Sequence, residues 1–212
     1  MLGLLLVAVG TAVLGWVGWQ YWGTTGGTTW VSHRQQDQVV SELEQQWQSG
    51  AEQARTEHGV TRAVVRIPAF GAAYEVPVLE GVSDDALAAG YGHFEGTAGP
   101  GQPGNDALAA HRATHGEPLQ DLPSLQVGDE IVVQTREAKD TYAQTTGGTD
   151  LTVPFTQTWM LTDRPVNPAA GGVTPALGSQ PHLITLTTCP ELFRTDDRSI
   201  AFGTPVDVEP RA

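Results

Sequence analysis

The clearest strand in the sequence is HLITLTTC, residues 182–189. Leucine, isoleucine and threonine dominate it, a composition typical of a strand buried within a β-sheet. Pro190 follows immediately and cannot donate to a sheet ladder, so the strand is expected to end at Cys189. A second segment of similar composition, residues 198–208 (RSIAFGTPVDV), predicts another strand after a short loop. Cys189 is therefore placed at a strand exit, where side chains often face a cleft.

Short strands separated by glycine and proline continue upstream as far as Val60. A helical turn with Ser83 as its N-cap interrupts them at residues 83–90. Seven or eight strands with little helix predict an all-β domain, closed or sandwich-like, with a barrel as the favoured form. The predicted strands lie within residues 61–70, 72–80, 106–111, 127–135, 140–146, 157–163, 182–189 and 198–208.

Composition excludes several classes of function. The 212 residues carry 24 acidic against 11 basic side chains, a formal charge of −13, which argues against a nucleic-acid partner. Cys189 is the single cysteine, so neither an intrachain disulfide nor a zinc site with several cysteines can form. The acidic residues lack the spacing of a calcium loop. The sequence therefore predicts neither a metal nor a cofactor.

The N-terminal segment predicts a membrane anchor. Residues 2–22 are almost wholly apolar and end in a cluster of tryptophan and tyrosine, and no charged side chain precedes Arg34. About 20 helical residues cross a bilayer, and aromatic rings favour its interface. A cleaved signal peptide is the alternative, but the basic start and the small-residue cleavage site are missing. We expect an anchor over residues 1–22, with the rest of the chain outside the cell.

Residues 23–59 are expected to join the anchor to a β-domain over residues 60–212. The Gly/Thr-rich part, 23–33, predicts a flexible spacer, and residues 34–57 predict a polar helix. One narrow apolar stripe runs along that helix, formed by Val39, Val40, Leu43 and Trp47. Two interpretations remain open at this stage: the stripe packs against the domain, or the helix is a free stalk.

The lone thiol is either a buried apolar group or a nucleophile. A nucleophilic cysteine needs a base and a positive charge nearby. Among the six histidines, His182 begins the strand that ends at Cys189. Because a strand rises about 3.3 Å per residue, the His182 side chain is expected to lie too far from the thiol to act as its base. His33 and His58 lie in the spacer and stalk and His93 in a Gly-rich loop, which leaves His111 or His115. Arg194 and Arg198 are the candidate cations.

These residues carry a resemblance to a known family. TLTTC followed by Arg198 resembles the TLxTC…R signature of sortases, the membrane-anchored cysteine transpeptidases of Gram-positive bacteria. Upstream, residues 66–82, 90–118 and 125–135 are similar to the class E sortases of actinobacteria. The resemblance covers roughly residues 62–208, and an anchor followed by a stalk is also the family's layout.

The resemblance implies an eight-stranded sortase β-barrel with short helices, and it implies roles for particular residues. His111, Cys189 and Arg198 match the family's catalytic triad, and Thr188 and His115 are expected to touch the substrate. The implied reaction cleaves an LAxTG- or LPxTG-type sorting signal of a surface protein between Thr and Gly. Cys189 forms a thioester with the protein, which then passes to the amine of a peptidoglycan precursor at the cell surface.

The chain departs from the class E pattern at two points. His115 stands where these enzymes usually carry a tyrosine that is linked with the residue after the signal's leucine, so the choice between LAxTG and LPxTG stays open. Pro190 and Glu191 stand where His-Pro usually follows the cysteine, and a negative charge there disfavours a thiolate. Two alternatives remain: a pilin-polymerising sortase, whose Asp-Pro-Trp-like lid motif is missing from residues 31–60, and a non-catalytic peptide-binding barrel.

Overall fold

The computed structural model describes residues 3, 10–16, 24–178, 182–188 and 196–211, with side chains from residue 31 onward in the first long helix. Most of the predicted anchor, residues 1–22, lies outside the described residues, and so do Cys189 and Arg194. Within the described ranges, no helix has both the length and the hydropathy required to cross a membrane.

Residues 10–16 are helical, and from residue 24 onward the described chain contains two α-helices, three short 3-10 helices and ten strands. The α-helices are α1 (Thr24–Gln48) and α2 (Asp84–Ala89), and the 3-10 helices are Pro68–Phe70, Leu122–Ser124 and Trp159–Leu161. The strands are β1 (Ala54–Thr56), β2 (Gly59–Arg66), β3 (Val76–Glu80), β4 (Tyr91–His93), β5 (Gly104–Ala109), β6 (Glu130–Gln134), β7 (Ala138–Gln144), β8 (Thr152–Pro154), β9 (His182–Thr188) and β10 (Asp197–Pro210).

Eight of these strands close into a barrel. The pairing order runs β2-β3-β4-β5-β9-β10-β7-β6, and β6 pairs back to β2 through Val64↔Gln134 and Val65↔Val133. β1 extends the sheet beside β2, and β8 pairs with β10 outside the ring. Closure leaves the eight ring strands without an open edge. The eight-stranded barrel with few short helices is thus confirmed.

Large apolar side chains from all sides fill the barrel interior. Tyr91, Tyr142, Leu108, Ile184 and other members of this core are fully buried. The buried Tyr91 hydroxyl lies 2.7 Å from the hydroxyl of Tyr74, which donates to the Pro118 carbonyl at 2.7 Å. Because the phenol oxygens have partners, these rings are buried without a lost hydrogen bond.

The polar helix packs against the barrel rather than standing free. Its apolar stripe is buried, and Val40, Leu43 and Trp47 form a small core with Ala54 and Val64. The prediction of a flexible spacer over 23–33 is wrong for its described part, because α1 already begins at Thr24. Docking of the stripe stabilises the helix, and helix then propagates toward the N-terminus at little further cost.

One predicted strand is also wrong. Residues 157–163 contain the 3-10 helix Trp159–Leu161 because Asn105 Nδ2 donates to the Met160 and Thr162 carbonyls, at 2.7 and 3.1 Å. These bonds occupy backbone acceptors that a strand would offer to a neighbour. The N-cap of α2 is confirmed, since Ser83 Oγ accepts from the Ala86 amide at 3.3 Å.

Candidate active site

The ends of three strands bring His111 and Arg198, two of the three predicted catalytic residues, to the same side of the barrel. β5 and β9 run parallel with Ala109 opposite Thr187, and β9 and β10 run antiparallel with Thr188 opposite Ser199. His111 lies two residues beyond Ala109, and Arg198 lies directly before Ser199. The register therefore places both residues at the end of β9 that leads into position 189.

Hydrogen bonds fix this junction. The Ala110 amide donates to the Thr187 carbonyl at 3.1 Å, and Thr188 Oγ1 donates to the Ala110 carbonyl at 2.7 Å. Thr188 is buried, with 3% of its surface exposed. Its hydroxyl proton is already engaged, so the oxygen can only accept from a further partner, such as an N–H group of a bound peptide.

A groove of about 330 Å³ opens at the junction. His111, Thr188 and Arg198 all line it, so three of the five predicted site residues share one concave surface. The rest of the wall is mainly apolar and consists of Val82, Leu87, Phe94, Ala109, Ala110, Phe155, Gln157, Thr158, Met160, Leu161, Thr187 and Ile200. Such a surface suits an extended peptide with apolar side chains.

Cys189 lies outside the described residues, and it follows the groove residue Thr188 in the sequence. The predicted influence of Glu191 also falls outside the described residues.

The His111 imidazole is half-buried, and its surroundings favour the neutral form. Burial lowers the pKa of His111 below its ordinary value; the charge of protonated His115 lowers it further, and Asp84 opposes both. The rings of His111 and His115 stack, with centroids 4.9 Å apart and planes 29° from parallel. A neutral imidazole can accept a proton, which is the first requirement of a base beside a thiol.

Arg198 is held by the sheet rather than by a loop. It pairs with Val153 across β8 and β10, and its Nη1 donates to the Asp197 carbonyl at 2.7 Å. The guanidinium carbon lies 5.9 Å from the centre of the Phe155 ring, within range of a cation–π contact. A cation in a partly apolar groove can stabilise a developing oxyanion.

His115 is exposed on the turn after β5, stacks on His111, and is not among the described residues that line the groove. Its predicted contact with the substrate stays a prediction. Its backbone φ of 54° lies in the left-handed region. The turn is therefore an irregular element whose conformation the sequence pattern did not predict.

The other histidines lie away from the groove. His93 is buried on β4, with Nε2 3.0 Å from the Ala98 carbonyl and Nδ1 3.3 Å from the Glu80 carboxylate. His182 opens β9 at its opposite end and makes an edge contact with Tyr142 at 5.9 Å. His58 contacts Gln35 of α1 at 2.7 Å. Elimination of these candidates leaves His111 as the groove's imidazole in the described chain.

Sequence reasoning missed one wall of the groove. Phe155, Gln157 and the 3-10 helix Trp159–Leu161 lie there, although residues 157–163 were predicted as a strand. The available signal was a cluster of large apolar side chains without strict alternation.

As for metals, the described residues include no group of three or more histidine, cysteine, aspartate or glutamate side chains placed to hold an ion.

Comparison with known proteins gives the family. A family model described as the sortase domain matches residues 65–206. This chain belongs to the sortase family. Sortase SrtE1 of Streptomyces coelicolor is 32% identical to it over 219 residues, which is 100% of this chain and 58% of that protein. The chain thus spans little more than half the length of this curated relative.

Solved sortases share the fold. Sortase E from Streptomyces avermitilis is 32% identical with a TM-score of 0.62, and the match covers 73% of this chain and 93% of that structure. Sortase E1 from Streptomyces coelicolor, solved with a tripeptide in the active site, is 29% identical with a TM-score of 0.59. That match covers 74% of this chain and 94% of the other.

Proposed function

We propose that this chain is a membrane-anchored cysteine transpeptidase that cleaves a sorting signal between Thr and Gly. The single observation that carries the proposal is the shared groove: His111 and Arg198 flank Thr188, and the lone cysteine is the next residue in the sequence. Membership of the sortase family supports the same assignment. The apolar wall gives a signal peptide a surface on which to bind.

The proposed reaction begins with proton transfer from Cys189 to His111, because the pKa of His111 is lowered and the imidazole is neutral at neutral pH. The thiolate then attacks the Thr carbonyl carbon, and Arg198 stabilises the oxyanion. Breakdown of this intermediate cleaves the Thr–Gly bond, and His111 returns its proton to the departing glycine amine. The product is a thioester between the threonine and Cys189.

An incoming amine completes the cycle. It loses a proton to His111, attacks the thioester carbonyl and releases the Cys189 thiolate, so that one peptide bond replaces another. In the cell we propose a peptidoglycan precursor as the amine and surface proteins as substrates. The apolar residues 2–22 support a single membrane span with the barrel outside the cell.

The relative preference for LAxTG and LPxTG signals is to be measured by comparing the two peptides. Since His115 lies against His111 rather than on the groove wall, we propose that it acts on the signal only through the residue it touches. The Thr188 oxygen is proposed to accept a backbone N–H of the signal, because its own proton is engaged by Ala110.

The test uses the full chain in detergent with LAxTG- and LPxTG-type peptides and a glycine amine. Cleavage and amine transfer are followed by mass spectrometry, which also detects the thioester as a mass addition. We expect Cys189→Ala, His111→Ala and Arg198→Ala each to abolish transfer. The control is Arg55→Ala, at an exposed arginine on β1, which is expected to leave transfer unchanged. Peptide binding without cleavage in the unaltered chain would support a binding barrel, and a lysine acceptor preferred over glycine would support a pilin polymerase.

A further inference from the structure

The N-terminal helix contacts the turn that carries His115. Gln36 Nε2 donates to the His115 carbonyl at 3.2 Å, and His33 Nε2 lies 2.9 Å from the Gly116 carbonyl, to which it can only donate. Gln36 is 3% exposed, so its amide is enclosed between α1 and the turn. Two neighbouring carbonyls of the turn therefore receive hydrogen bonds from two side chains one helical turn apart.

The turn has a conformation that needs such support. In the described chain, the non-glycine residues with positive φ are His115, at 54°, and Glu117, at 52°, and Gly116 between them has φ of 78°. Side chains disfavour this backbone region, so it persists only where the surroundings hold it. A Cβ on Gly116 would lie 2.7 Å from Gln36 Nε2, which shows how closely the helix and the turn approach.

The same turn determines where the groove imidazole lies. The Leu119 amide donates to the His111 carbonyl at 3.0 Å and closes the turn, and the His115 ring stacks on the His111 ring at 4.9 Å. A change in the His115 backbone would displace the ring that rests on His111. Gln36 therefore contacts His115 by a hydrogen bond, and His115 contacts His111 by ring stacking.

We propose that Gln36, assisted by His33, is a positioning residue for His111: α1 holds the turn after β5 so that the His111 imidazole faces the groove. The inference rests on the proposed transpeptidase function. In this proposal α1, the helix that follows the predicted anchor, helps to position a catalytic side chain. The packing of its apolar stripe on the barrel then serves the reaction as well as stability.

Helix docking does not depend on the residues to be changed. Val40, Leu43 and Trp47 hold α1 against Ala54 and Val64. Gln36→Met keeps the length of the side chain and removes its donor, so α1 is expected to stay docked while the turn is released. Gln35→Met is the matched control, because Gln35 contacts His58 rather than the turn.

The experiment measures kcat, KM and the pKa of His111 in the full chain, the last by NMR of imidazole carbons. We expect Gln36→Met to lower kcat about tenfold, the size of effect of one lost hydrogen bond, with KM for the peptide within about twofold. The His111 pKa is expected to rise as His115 moves away. His33→Leu should act in the same direction, and His33→Gln, which retains a donor, should restore much of the loss.

Each result decides the proposal. An unchanged kcat and His111 pKa in Gln36→Met would overturn it, and so would an equal loss in Gln35→Met, which would show general weakening of the helix. If the unaltered chain transfers no peptide, the proposed function fails. The response of the His111 pKa to Gln36→Met still tests the contact in that case, so the two failures are distinguishable.

Discussion

Asp106 is a carboxyl group that the barrel keeps neutral. It lies on β5 with 1% of its surface exposed. Burial raises the pKa of Asp106 to about 8, Asp140 and Glu80 add to the rise, and Arg62 opposes it. Among the described residues neither carboxyl oxygen has a hydrogen-bond partner, and Nε2 of His93 is 3.8 Å from Oδ1. The protonated acid is thus the favoured form of the folded protein at neutral pH.

The sign of the pH effect follows from the proton count. An unfolded aspartate titrates near pH 4, so between pH 5 and pH 7 the folded state holds about one proton more at Asp106 than the unfolded state. The contribution of Asp106 is fully present below about pH 4 and is lost as the pH rises toward 8. Within that interval it lowers the free energy of unfolding by about 1.4 kcal/mol per pH unit.

Asp106→Asn keeps the size of the side chain and removes the titration. We expect the free energy of unfolding of Asp106→Asn, minus that of the unaltered chain, to increase by about 3 kcal/mol from pH 5 to pH 7, which is two pH units at that slope. Other titrating groups contribute to both proteins and largely cancel in the difference. The magnitude depends on one proton and not on the folded pKa, provided that pKa exceeds 7.

Urea unfolding of the full chain at pH 5, 6 and 7 measures this difference. Asp207→Asn makes the same side-chain replacement at an exposed position on β10, and its stability should change with pH in parallel with that of the unaltered chain. Parallel curves for Asp106→Asn and the unaltered chain would refute the reasoning, because the folded state would then take up no extra proton at Asp106.

Three further predictions concern stability, each measured by the same urea unfolding. Gly148→Ala should cost more than about 3 kcal/mol or prevent folding, because the new Cβ would lie 1.7 Å from the Leu122 carbonyl oxygen. Leu43→Ala should cost about 2–5 kcal/mol, since Leu43 is fully buried between α1 and the barrel; a loss below 1 kcal/mol would mean that α1 is not docked in solution. Thr185→Val should cost about 1–2 kcal/mol, because Oγ1 donates to Asn105 Oδ1 at 2.7 Å; in an Asn105→Ala background this cost should nearly vanish, and additive costs would contradict the coupling.

Local features were predictable because they depend on neighbours in the sequence. The strand that leads into Cys189 runs from His182 to Thr188 as its composition indicates, and Ser83 caps α2 as expected. The placement of His111 and Arg198 in one groove was implied by resemblance, and the strand register accounts for it. Residues 157–163 were mispredicted because their conformation depends on Asn105, some 55 residues away.

The strand content, the lone thiol, the acidic charge and the apolar N-terminal run can all be read directly from the amino-acid sequence. Each is a property of composition or of periodicity over a few residues. By contrast, the closure of the eight-stranded ring, the docking of α1 and the contact of Gln36 with the turn beside His111 are visible only in the folded protein. These contacts join residues up to 79 positions apart, and their pairing depends on the packing of the whole barrel.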